Sequence, residues 1–67
     1  MKPEAKIFLH ELVKRGGVAK PQDVGPQTTQ AQNAARQLCK RRKYVNYKDG
    51  RWEITNHGRA ALSAAFD

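Results

Sequence analysis

PQDVGPQTTQAQNAARQLCKRRKYVNYKDGR, residues 21 to 51, decides how this chain folds. A short helical start at Pro21 meets a Gly25-Pro26 break, a glutamine- and arginine-rich helix follows, and a tight hairpin turns at Asp49-Gly50. That order sets one helix beside a basic hairpin, an arrangement with which a small protein can enter a nucleic-acid groove.

The turn sets the hairpin register. Asp49-Gly50 suits a type I′ turn, so a two-residue loop places Lys48 opposite Arg51, Tyr47 opposite Trp52, Asn46 opposite Glu53 and Val45 opposite Ile54. Val45, Tyr47, Trp52 and Ile54 then share one face, which the period of two predicts to be buried. Upstream, Thr29 with Gln32 three residues later fits a capping box, with Thr28 as the alternative cap, and predicts a helix over about 29–42. Its apolar positions Ala31, Ala34, Ala35, Leu38 and Cys39 recur at helical spacing and predict an inward face made mostly of alanine. The opposite face collects Gln30, Gln32, Asn33, Arg36, Gln37, Lys40 and Arg41, donors and acceptors without a carboxylate among them.

Toward the N-terminus, Pro3 suits the first position of a helix with an apolar stripe at Ala5, Phe8, Leu9, Leu12 and Val13. Lys14 and Arg15 before Gly16-Gly17 supply cations at the negative end of the dipole and a left-handed cap. Val18 can then make a short extended contact, and Pro21 can open a second, very short helix through Val24. Beyond the hairpin, Thr55 or Asn56 can cap a final helix carrying Ala60, Ala61, Leu62, Ala65 and Phe66, with Gly58 an unfavourable residue in its first turn.

At 67 residues the chain supports a single domain over 1–67, and burial of only roughly 60% of the unfolded surface leaves a thin core. Thirteen Lys and Arg against six Asp and Glu give a formal charge of +7, so polyanions are the expected partners. A lone cysteine, Cys39, excludes an intramolecular disulfide and favours a cytoplasmic setting; the apolar run Ile7-Phe8-Leu9 is too short for a membrane span. Catalysis finds no footing here. His10 and His57 are far apart, the acids are scattered, and no spacing supports a zinc site or a Cys-His pair, so the expectation is a binding module without cofactor or metal.

Taken together, helix, short helix, turn, helix, hairpin and a Thr-x-x-Gly step into a last helix resemble the winged helix-turn-helix superfamily. The matching residues are the first-helix stripe ending at Gly16-Gly17, Val24, Thr28-Thr29, Leu38-Cys39 leading to Tyr44-Val45, and Gly50-Arg51-Trp52-Glu53-Ile54-Thr55-Asn56-His57-Gly58. The resemblance implies an α+β fold: a three-helix helix-turn-helix core, a two-stranded hairpin wing over 45–55 and a short C-terminal helix. It departs at Lys43, where many members carry glycine, and at the Gly25-Pro26-Gln27 turn.

By function, the resemblance implies a double-stranded DNA-binding protein, a transcriptional regulator of small bacterial or phage type. The third helix would then read the major groove with Thr28, Thr29, Gln30, Gln32, Asn33 and Arg36, because amides pair with adenine and guanidinium with guanine, and Gln37 would contact the DNA from the same polar face. Lys40 and Arg41 would track phosphates, and Lys48 and Arg51 at the hairpin tip would reach backbone or minor groove. Tyr47 and Trp52 are better read as core than as base-stacking platforms. A homodimer through the C-terminal segment is one arrangement, packing of that segment on the first helix the other. The competing readings are a protein-interaction adaptor of phage or mobile-element type and an RNA-binding module.

Overall fold

Pro3 opens the first helix, α1 (Pro3–Lys14), and its stripe turns inward as its spacing predicts: Ala5, Phe8, Leu9 and Leu12 are buried, with Val13 packed beside them. The helix stops in a Schellman motif. The Gly17 N–H bonds to the Leu12 carbonyl (2.6 Å) and the Gly16 N–H to that of Val13 (3.0 Å), with Gly16 at φ +88°, a conformation glycine adopts without a Cβ penalty.

The computed structural model describes residues 1–24 and 30–66. After α1 come β1 (Val18–Ala19), a 3-10 turn (Pro21–Val24), α2 (Gln30–Arg41), β2 (Val45–Lys48), β3 (Arg51–Ile54) and α3 (Asn56–Phe66). The described residues therefore form a small α+β fold with three α-helices and a three-stranded antiparallel sheet of order β1-β3-β2. Two expectations are corrected. The short second helix is one 3-10 turn, and the hairpin gains a third strand because β1 pairs with β3 at Val18–Glu53 and Ala19–Trp52. The Gly25-Pro26 break and the Thr28 or Thr29 cap lie outside the described residues.

The hairpin register is the expected one at all four positions, and Asp49 and Gly50 both take positive φ (+54° and +74°) as a type I′ turn requires. Val45, Trp52 and Ile54 are buried, but Tyr47 is 46% exposed. It sits on the edge strand, where Trp52 covers only one side of its ring at 4.8 Å. Packing then runs inward from Trp52 to Phe8, whose rings meet edge-on at 5.4 Å.

A second Schellman motif ends α2: the Tyr44 N–H bonds to the Cys39 carbonyl (2.9 Å) and the Lys43 N–H to that of Lys40 (3.2 Å). Lys43 holds the left-handed position at φ +65°, where glycine is the usual occupant. Relief of about 1–2 kcal/mol of Cβ crowding, less about 0.5–1 kcal/mol of glycine entropy, predicts that Lys43→Gly raises stability by up to about 1.5 kcal/mol. Thermal unfolding should show a midpoint several degrees higher; a lower midpoint would show that the lysine side chain itself supports the fold.

Thr55 joins this turn to α3. Its Oγ1 accepts the Gly58 N–H (2.9 Å) as an N-cap and donates its proton toward the carbonyls of Lys43 (2.6 Å) and Tyr44 (3.0 Å), while its N–H bonds to the Tyr44 carbonyl (2.9 Å). From there α3 packs on α1 with Leu62 buried, which is one of the two expected placements of the C-terminal segment. No helix among the described residues is long and apolar enough to cross a membrane.

Candidate nucleic-acid interface

Which way α2 faces decides its surface. The buried residues are Ala35, Arg36 and Cys39, with Gln32 half-buried, whereas Ala31 and Ala34 are exposed and Leu38 is half-buried. The expected inward face is therefore corrected in part: Ala35 and Cys39 are buried as expected, but the helix is turned so that Arg36 and Gln32 face inward where Ala31 and Ala34 were expected. Gln30, Asn33, Gln37, Lys40 and Arg41 remain exposed. Their spacing sets Gln30, Asn33, Gln37 and Lys40 along one flank, with Arg41 next to them.

Arg36 does not belong to that surface. Only 3% exposed, it donates from Nη2 to the Val24 carbonyl (3.2 Å) and lays its guanidinium 5.3 Å from the Phe8 ring centre. Burial draws its pKa below the ordinary arginine value. The guanidinium is thus committed to the protein interior, where it ties α2 to α1 and to the end of the 3-10 turn, and it is not positioned to read a base. Gln32 is also partly withdrawn, with its Oε1 enclosed, and lines a cavity of about 50 Å³ with Arg36, Glu4 and Val24. Thr28 and Thr29 lie outside the described residues.

At the hairpin tip, Lys48 and Arg51 are exposed on either side of the Asp49-Gly50 turn. β1 pairs with β3 only at Trp52 and Glu53, so this third strand stops short of the tip and leaves Lys48 and Arg51 as the last pair of the two-stranded β2–β3 ladder. No carboxylate lies on α2. The surface is therefore a stripe of amides ending in cations, with a two-cation tip on a separate element. Such groups can meet phosphate oxygens and the edges of bases.

Cys39 is 1% exposed, and burial pushes its thiol pKa from 9.0 up to about 11. The fold favours the neutral thiol, so its contribution to stability is complete below pH 9 and declines as pH rises toward 11. Urea unfolding of wild type and Cys39→Ala should therefore converge across that interval; a constant gap would remove the titration from consideration. Among the described residues no group of three or more His, Cys, Asp or Glu could hold a metal ion.

No protein-family model, curated protein or solved structure matches this chain.

Proposed function

We propose that this chain is a winged-helix protein that binds double-stranded DNA and regulates transcription in the cytoplasm, acting by binding and not by catalysis. The observation that carries the reading is the acid-free solvent face of α2, where Gln30, Asn33 and Gln37 lead into Lys40 and Arg41. Amides of this kind pair bidentately with adenine, each good pair discriminating by about 1–3 kcal/mol, and the cations at the helix end meet the flanking phosphates. The hairpin of β2 and β3 serves as the wing, and Lys48 and Arg51 touch the backbone or a narrow minor groove. A module this small gains specific affinity by binding as a pair on two half-sites.

The test is a titration against a random duplex pool and a single-stranded RNA pool at several salt concentrations, sequencing what stays bound at the highest salt. An enriched duplex motif supports the reading; binding that vanishes with salt and enriches nothing overturns it. Within that assay Gln37→Ala should flatten the preference at one position. Lys48→Ala combined with Arg51→Ala should instead weaken every duplex alike and reduce the salt slope by about 1.8, or about 0.9 for each lost phosphate contact.

A further inference from the structure

The other flank of α2 has no role in that reading. Ala31, Ala34 and Leu38 carry the spacing of a core stripe, yet Ala31 and Ala34 face solvent and Leu38 is only half-covered. They border two grooves that share Lys2, Ala5 and Leu38. The larger, about 660 Å³, runs between α2 and α3 past Arg42, Tyr44, Ala61 and Ala64; the smaller, about 290 Å³, continues along α2 past Ala34 and Ala31 to Glu4 and Arg41.

Three features specify an occupant. Alanines on both walls let a helix backbone approach closely, and Leu38 and Tyr44 offer apolar contact, the requirements of a helix laid into a groove. Lys2, Arg41 and Arg42 are exposed at the rim, against Glu4 as the one acid among the described residues that line either groove. The chain carries +7, so a second copy would bring like charge to a cationic rim, while an acidic segment meets opposite charge. We propose that this groove docks an amphipathic helix of an acidic partner protein. Its apolar side chains lie over Leu38 and the alanines, and its carboxylates reach Lys2, Arg41 and Arg42. The groove shares Arg41 with the DNA reading but not Lys2, Arg42 or Ala64, and changes at those three positions tell its failure from that of the DNA reading.

The probe is a synthetic helical peptide of about 20 residues, about 30 Å long, with a leucine stripe flanked by glutamates, beside a counterpart with lysine for glutamate. Each is titrated into the full ¹⁵N-labelled chain. The glutamate peptide should shift the amides of Ala31, Ala34, Leu38, Ala61 and Ala64 and bind at least about tenfold more tightly than the lysine peptide. Ala64→Glu, at an exposed position, should weaken it about tenfold, whereas Lys48→Ala at the hairpin tip, away from both grooves, should leave it within about twofold. Equal binding of the two peptides, or shifts confined to the amide stripe, overturns the proposal. Sedimentation as a dimer with these same amides protected assigns the groove to a second copy and overturns it equally.

Discussion

Arg36→Ala is expected to cost about 3 kcal/mol of stability and, on the proposed DNA-binding reading, to leave the sequence preference of the folded fraction unchanged. The loss has three parts: a charged donor to the Val24 carbonyl, the guanidinium over Phe8, and a cavity where the side chain stood. Against roughly 3–10 kcal/mol for a 67-residue domain, this is a large share of the whole. Arg36→Met fills most of the volume and escapes the desolvation that lowers the arginine pKa, so it should cost less, about 1–2 kcal/mol. Urea titration of both variants measures the order. An unchanged midpoint for Arg36→Ala together with a flattened duplex preference would return Arg36 to the recognition surface.

Why the sequence misled at Arg36 follows from the helix itself. QAQNAARQLCKR contains two overlapping stripes of helical spacing, 31/34/35/38/39 and 32/35/36/39, which share Ala35 and Cys39, and the first is the more apolar. Hydrophobic periodicity selects the first. The structure adopts the second, because an arginine stem is long enough to fill core volume while its head finds a carbonyl and an aromatic ring. Five of the expected contact residues, Gln30, Asn33, Gln37, Lys40 and Arg41, belong to neither stripe and are exposed, Arg41 lying at the margin of the first. By contrast the hairpin register was fully legible, since the Asp49-Gly50 turn dictates it residue by residue. The pairing of β1 was not legible. Two residues are too few to show a period, and their partner strand lies more than thirty positions away.

Gly58→Ala is expected to destabilise the fold by about 3 kcal/mol, the opposite sign from the gain of about 1 kcal/mol that the same change brings in an ordinary helix interior. By propensity alone Gly58 is a defect in the first turn of α3. Packing reverses that reading: a methyl group there would fall on the Tyr44 carbonyl oxygen and lie 2.9 Å from Ile54 Cγ1. The carbonyl cannot retreat, because the Thr55 N–H holds it at 2.9 Å and its residue closes the Schellman motif of α2. If α3 moved instead, it would give up the Thr55 cap on the Gly58 N–H and the burial of Leu62. The Thr-x-x-Gly step is therefore a clamp that lets α3 approach the junction of α2 and β2. Ala60→Gly, an exposed position two residues on, isolates propensity and should cost only about 1 kcal/mol. Thermal unfolding of the two variants decides between the accounts, since a higher midpoint for Gly58→Ala would mean that no such close approach exists. On the proposed DNA-binding reading, Gly58→Ala should lower duplex affinity in proportion to the unfolded fraction and leave the salt slope of the folded fraction intact.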